Sequence, residues 1–551
     1  MKVKIQEETP YPYSIKWKIH NNYFQKKGAD AWKKNEVPCG ITSNPRMAYQ
    51  KAKVVVEIIN NNQVNIEGKI YILEIGAGLG LFALNFFKQF KEICKKENKN
   101  FHNNVHYLLT DYSEKNLKDI SSNKYISKLR KTGSLDLYIM DALNPQSIKK
   151  LDGEKFDLKK ESLMVVIANY VHCTLPLTIF VKKNDRFHER NIELFYNTDE
   201  NIEITDEKKF IEDLINNPIE KKVLEKLEEK IKYKEIDINE YIKDETERES
   251  LVQAAKDFGT ATIIFPSGSF QHIKAILPFM KAKGAFLISD KGHPLTSFMG
   301  GEKEFFPSVH GNSLAHDVNM PLIEIYANKL GLSSMRTSNV QYCLQSMLII
   351  KNNNIDENVS TTFKNQFIDN NINEDVDDFL KVACDYWEKK DLAVSISFYL
   401  KALRPNPDDS NILYCLGRCY FECGDYHRAL ECYTKRDDDY FNTYNFNFEI
   451  ARTLHTQANY QKAIDYYNKA LSDPFHQEKY IYYNIGLCWY SLKNYVQAYK
   501  YYKKALETDN TYEVALNGMQ NIKNALFEIW VKSIGETLPV LKENKKQEKL
   551  L

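Results

Sequence analysis

Hydrophobic positions along this chain follow two periods, and the period changes at identifiable points. From residue 69 onward the short apolar runs "KIYILEIG", "VHYLLTD", "LDLYIMD", "SLMVVIANY" and later "AFLISD" predict strands, and "LFALNFFKQFKEICKKEN" and "SEKNLKDISS" predict helices between the first of them. Buried apolar strands separated by helices imply a parallel sheet covered on both faces. Residues 1–68 read as a polar lead-in followed by an amphipathic helix, "RMAYQKAKVVVEIINNN". Acids and lysines at helical spacing in "DEKKFIEDLINNPIEKKVLEKLEEKIKYKE" predict a helical insertion over 196–256 within a domain spanning 69–350. Residues 351–375 are polar and Asn-rich and read as a linker.

The last third, 376–551, repeats itself. Small residues recur at Ser395, Ala429, Ala463 and Ala498, spaced 34, 34 and 35, and Tyr399, Tyr433, Tyr467 and Tyr502 follow each by four. A second small position recurs at Gly417, Ala451 and Gly486. This pattern resembles the tetratricopeptide family, a helix-turn-helix unit whose small residues let paired helices approach and whose tyrosine fills the gap between them. Four repeats are expected, closed by a capping helix that begins near "EVALNGMQNIKNALFEIWVKSI".

Composition narrows the partners. The chain has 551 residues, too many for one core. Its 75 Lys and Arg balance 74 Asp and Glu, so no global field draws it to nucleic acid or an anionic membrane. No apolar run approaches the length of a transmembrane helix. The first residues lack an apolar signal core and include acids, which predicts a cytoplasmic address in preference to a mitochondrial one. The ten cysteines show no secreted spacing, so reduced thiols are expected.

The chemistry centres on "YILEIGAGLG", residues 71–80. A phosphate-binding P-loop would need Gly-Lys-Ser/Thr, but Leu81 and Phe82 follow the last glycine. A dinucleotide fold wants G-x-G-x-x-G, whereas Gly76, Gly78 and Gly80 form G-x-G-x-G around Ala77, with Glu74 two residues ahead. That combination resembles motif I of class I S-adenosylmethionine methyltransferases, whose glycines let the backbone approach the methionine portion of the cofactor. The resemblance implies that Glu74 holds the turn or the ligand ammonium. It implies also that Asp111, closing "VHYLLTD", binds the ribose hydroxyls, and that Asp141, with Ala142 beside it, receives the adenine amino group. Asp111 lies 31 residues beyond Gly80, farther than is usual.

Further along, "VVIANYVHCTLPLTIFVKKNDRFHER", "KAKGAFLISDKG" and "HGNSLAHDVNMPLIEIYANKLG" are similar to motifs of MidA-like S-adenosylmethionine-dependent methyltransferases. Relatives in that family include an arginine methyltransferase. The match covers roughly residues 38–345, in family order. Three positions depart from the family: Asn-Glu becomes Asn169-Tyr170, Asp-Ala-Leu-Pro becomes Cys173-Thr174-Leu175-Pro176, and Asp-Tyr-Gly becomes Asp290-Lys291-Gly292. A guanidinium is held best by paired carboxylates, so losing one weakens the case for arginine.

Methyl transfer from a sulfonium rests on placing a nucleophile in line and excluding water. Asn169 and Tyr170, at the end of the fourth strand, are candidates to orient an amine or amide nucleophile and, for Asn169, to touch the cofactor. His172 is a candidate base, with a merely hydrogen-bonded histidine the plainer reading, and Asp290 is a candidate to face the same cleft. Cys415, Cys419 and Cys423 on one repeat helix, and His310, His316 and Asp317, have metal-like spacing; packing accounts for the first set and a family counterpart without a metal for the second, so no metal is expected. The expectation is therefore an α/β Rossmann-like methyltransferase domain with a helical insertion, followed by an all-α tetratricopeptide solenoid whose groove binds a protein client. Lys or Arg of that client is the expected acceptor. A small-molecule methyltransferase with an assembly-type repeat domain and a non-catalytic scaffold are the alternatives, and homo-oligomerisation stays open.

Overall fold

The computed structural model describes residues 2–33, 37, 43, 45–62, 68–154, 156–160, 162–198, 206–217, 222–293, 295–338, 344–368, 371–403, 409–435, 445–472 and 477–547. It separates into two compact units that divide between residues 371 and 372.

The strands of the first unit are β1 (Lys2–Pro10), β2 (Ile70–Ile75), β3 (Val105–Asp111), β4 (Leu135–Asp141), β5 (Asn144–Lys150), β6 (Leu163–Asn169), β7 (Thr178–Lys183) and β8 (Arg186–Asn197). They continue with β9 (Leu227–Ile236), β10 (Thr260–Phe265), β11 (Met280–His293), β12 (Ser308–His310), β13 (Ser313–Ala315), β14 (Val318–Asn319), β15 (Ser333–Arg336) and β16 (Leu344–Ile350). The main sheet runs β15-β16-β11-β6-β2-β3-β4-β5, with β14 beside β11. Its centre, β11-β6-β2-β3-β4, is parallel, as the buried apolar runs demand, and β5 and β16 close it in antiparallel fashion. Strand order reverses at β2, which has β3 on one side and β6 on the other, so a crevice opens at the carboxyl ends of β2 and β6. Leu73, Val166, Phe286 and Met347 on one face pack in one core with Phe270 and Ile273 of the Ser267–Ile276 helix and with Leu322 and Tyr326 of the Met320–Lys329 helix. The Pro45–Asn61 helix covers the opposite face, where Ser289 Oγ of β11 reaches Met47 Sδ at 3.8 Å.

A second, antiparallel sheet was not foreseen. One edge of the long β8 pairs with β9, and the other edge is shared by β7 and β1, with β10 outside β7. Two expectations change with it. Residues 1–68 are not a purely helical lead-in, because β1 pairs with β8. The segment 196–256 is not a helical insertion throughout: β9 occupies the charged stretch "LEEKIKYKEI" between the Glu207–Asn216 and Glu245–Ala255 helices. Glu and Lys four apart satisfy a helix, but they also share one face of a strand. Here the cross-strand partner decides, for Glu193 of β8 receives Lys230 at 3.4 Å and Lys232 at 3.6 Å.

The expected linker at 351–375 is likewise corrected. Asp356 caps a helix, Glu357–Phe363, by accepting from the Asn358 and Val359 amides, and a π-helical turn, Lys364–Ile368, follows. Val359 and Phe363 are buried, and the helix packs on Pro45–Asn61. The polar residues that suggested a linker include a helix cap, Asp356.

In the second unit the helices pair as Asn371–Glu388 with Leu392–Leu403, Ser410–Glu422 with Tyr426–Thr434, Phe446–Thr456 with Tyr460–Ala470, and Glu478–Ser491 with Tyr495–Thr508. The Glu513–Gln547 helix ends the array. A Cβ at Gly417 would overlap the Tyr433 ring, and one at Gly486 would overlap Tyr502. The missing side chains at Gly417 and Gly486 therefore leave the room that Tyr433 and Tyr502 occupy against the neighbouring helix.

Candidate active site

The glycine turn joins β2 to the Leu81–Lys96 helix. Gly76, Gly78 and Gly80 have φ of 77°, 50° and 72°, a region open to glycine and strained for other residues. Ala77 N–H donates to Thr110 O at 2.8 Å, which ties the turn to β3. At Gly78 a Cβ would meet nothing within 4 Å, so the turn borders open space at the switch point. That space and the exposed backbone fit a cofactor that needs close main-chain approach.

Asp111, at the end of β3, is buried. It accepts from Ser113 N at 2.8 Å and from Asn116 Nδ2 at 2.8 Å, and the Gly78 amide also donates to it. Burial raises its pKa to about 6 against the pull of these donors. Asn116 Nδ2 also reaches Gly78 O at 2.9 Å, so strand end, following helix and glycine turn form one network. Asp141 ends β4 on the exposed surface, where it accepts from Leu143 N at 2.9 Å. The next carbonyl, Ala142 O, accepts from His272 Nδ1 at 2.8 Å.

Glu74 points away from the turn, into the layer between the sheet and the Pro45–Asn61 helix. It accepts from the Tyr107 hydroxyl at 2.8 Å, and burial pushes its pKa up to about 8. The charge nearest it in that layer is Lys51, almost wholly buried, whose Nζ donates to Asn169 Oδ1 at 2.5 Å and to Leu287 O at 3.0 Å. Burial draws the Lys51 pKa down to about 7, against the fields of Glu74 and Asp290. Lys51 escaped notice in the sequence, although a trace is present. It stands four residues after Met47 and four before Val55, on the apolar stripe of its helix, where a lysine needs a partner.

Asn169 ends β6 directly beside β2, since Ile75 pairs with Ala168. Tyr170 follows with φ 53°, a left-handed conformation that costs a non-glycine residue energy, and its amide donates to Ser289 O at 3.0 Å. The chain then makes a short turn, His172–Thr174. Asp290 holds that turn rather than standing free in the cleft: Oδ2 accepts from Cys173 N at 3.1 Å, Oδ1 accepts from Lys291 N at 2.9 Å, and the His172 amide adds a further bond. Fully buried, it has a pKa raised to about 7. His172 is buried edge-to-face against His272, ring centroids 5.3 Å apart, with no hydrogen-bond partner on either nitrogen among the described residues. Desolvation keeps it neutral, its pKa well below the ordinary value.

The other sequence candidates lie apart from this crevice. His316 bonds the Tyr11 hydroxyl at 2.8 Å, and Asp317 faces Lys291 at 3.4 Å and His293 at 3.7 Å. Cys419 is buried beside Ser395 and Cys415 is half-buried, whereas Cys423 is exposed. The family-like "ER" of β8 is a structural pair. Glu189 accepts from Tyr241, while Arg190 donates to Glu229 at 2.6 Å and Phe305 O at 2.6 Å.

A parallel sheet with a glycine turn at its switch point and acids closing the neighbouring strands is the Rossmann-like α/β arrangement of the class I methyltransferase kind. Residues 52–306 match the family described as "Putative S-adenosyl-L-methionine-dependent methyltransferase", and residues 398–431, 444–472 and 480–512 match tetratricopeptide repeats. The chain carries a domain of that methyltransferase family followed by tetratricopeptide repeats. No curated protein matches it. Among solved structures, an uncharacterized ACR superfamily protein from Burkholderia thailandensis is 11% identical over 64% of this chain and 90% of its own, with a TM-score of 0.39. The MamA protein is 20% identical over 30% of this chain and 90% of its own, TM-score 0.26. PilF of Pseudomonas aeruginosa is 20% identical over 28% and 71%, TM-score 0.26. No helix among the described residues is long and apolar enough to cross a membrane.

Proposed function

We propose that the first unit binds S-adenosylmethionine and transfers its methyl group to a side chain of a protein client that the repeats recruit. The observation that carries this reading is the open space beside Gly78, flanked by the buried Asp111 network, in a chain that also holds four tetratricopeptide helix pairs. The bound cofactor would supply an activated methyl group. Backbone of residues 76–80 would line its methionine portion, Asp111 its ribose and the Asp141–Ala142 corner its base. The β6 and β11 ends, on the other side of the turn, are left for the acceptor. A tethered repeat array raises the effective concentration of whatever it binds, which suits a macromolecular acceptor.

Arginine and lysine are the acceptors implied by the resemblance, and their N–H groups are held best by carboxylate oxygens. The test is incubation of the full chain with methyl-labelled S-adenosylmethionine and cell extract. Label in protein supports the reading, and a chain ending at residue 371 should still bind S-adenosylmethionine yet label protein less. Label confined to small molecules, or equal labelling by the shortened chain, contradicts it.

A further inference from the structure

The acceptor side of the crevice lacks an uncommitted carboxylate among the described residues. Both oxygens of Asp290 receive backbone amides and Glu74 is buried under Tyr107, while Asp317 lies apart from the crevice against Lys291 and His293. What the site does hold is a donor. Lysine can only donate when charged, and even a neutral amine keeps two N–H groups, enough for Asn169 Oδ1 and Leu287 O. The Asn169 amide is thereby oriented in either protonation state of Lys51: its oxygen is taken, and its Nδ2 is the buried atom with no partner among the described residues. Guanidinium and ammonium groups carry donors alone, so neither can satisfy it. Two lysines mark the same region, Lys51 and Lys291, the latter two residues beyond Ser289, which pairs with Asn169 across the strands, and ion-paired with Asp317 at 3.4 Å. Lys291 stands where the resembled family has tyrosine and anchors through Ser308 Oγ at 2.8 Å.

Resting on the methyltransferase reading, we propose that the methyl acceptor is a carboxylate: Asn169, oriented by Lys51, donates to one carboxylate oxygen while the other attacks the methyl carbon. The attacking oxygen uses a lone pair to form the C–O bond as the S–C bond breaks and its electrons pass to sulfur. The products are a methyl ester and S-adenosylhomocysteine. No proton is removed, so the step needs no base, which agrees with two buried histidines, His172 and His272, whose pKa values desolvation lowers. Lys51 is a positioning residue that acts through Asn169.

Methyl esters are hydrolysed by mild alkali with release of methanol, whereas N-methyl arginine and lysine survive it. The full chain is incubated with methyl-labelled S-adenosylmethionine and extract, and the labelled fractions are then exposed to alkali. Volatile label released from protein is the expected result, and volatile label from small molecules would keep the carboxylate chemistry while overturning the protein client. Alkali-stable label overturns this proposal alone. Absence of any label, with S-adenosylmethionine binding seen by calorimetry, overturns the methyltransferase reading and this proposal with it. Asn169→Asp keeps the oxygen that Lys51 holds but sets an anion against the incoming carboxylate. It should cut ester formation by about tenfold or more at saturating S-adenosylmethionine. Lys51→Met should lose a similar factor, and the double variant little more, since both act on one amide. Full activity of Asn169→Asp, or strictly additive losses, would remove Asn169 and Lys51 from acceptor binding.

Discussion

The two sides of the crevice are built differently. On the β2–β3 side the parts are near in sequence and hold one another through backbone: Ala77 N–H to Thr110 O, Ser113 N–H to Asp111, Asn116 to Gly78 O. On the β6–β11 side the parts come from residues 51, 169, 172, 272 and 290, and side-chain burial dominates their chemistry. Lys51, His172 and Asp290 there, with Glu74 of β2 in the layer beside Lys51, have pKa values displaced toward the neutral form by desolvation. A ligand site made of backbone tolerates little change in shape. A site made of desolvated side chains is sensitive to charge and to which atom of each group is left over.

Four perturbations separate the two sides, beginning with the largest. Gly78→Arg would force a side chain from a backbone at φ 50° into the open space beside the turn, and calorimetry should show S-adenosylmethionine affinity reduced by roughly 100-fold or more. Unaltered affinity would detach the cofactor from the glycine turn. Asp290→Asn places an N–H against the Cys173 or Lys291 amide and should lower unfolding free energy by about 1–3 kcal/mol, while cofactor affinity stays put. A parallel loss of affinity would mean that the two sides are coupled.

Glu74→Gln tests the buried charge through pH. Because the folded carboxyl titrates near 8, well above its value of 4.5 in the unfolded chain, the folded protein keeps a proton that the unfolded one releases. Stability supplied by the protonated form is present below 4.5 and is lost as pH rises through about 8. Relative to the wild-type chain, the variant should therefore gain in Tm at pH 8 and gain little at pH 5. A pH-independent difference would contradict the raised pKa. His172→Phe should have the smallest effect, within about 0.5 kcal/mol in thermal unfolding, because neither ring nitrogen has a partner among the described residues to lose. A large destabilisation would show that His172 is hydrogen-bonded after all.

Legibility in the sequence followed the range of the interactions. The glycine turn could be read from ten residues because positive φ at three alternate positions is a local demand that glycine alone meets without strain. The repeats could be read because Tyr433 and Tyr502 need missing side chains at Gly417 and Gly486, and the demand recurs at a fixed spacing. Reading failed where a local pattern served two structures equally. The Glu and Lys residues of β9 fit a helix until Glu193 of another strand is brought opposite them, and Asp356 reads as linker until Val359 and Phe363 find a helix to pack on.

Sequence by itself therefore determined the elements whose pattern is written locally: the short apolar strands, the glycine turn with Asp111 closing the next strand, and the helix pairs. Only the tertiary structure decided that Asp290 holds a turn, that Glu74 is a buried acid under Tyr107, and that Lys51 claims the oxygen of Asn169. These are consequences of desolvation, and no residue type or spacing carries them. A group's protonation and free hydrogen-bonding atoms are set by what covers it, and for Asn169 and Asp290 the partners come from segments more than a hundred residues away.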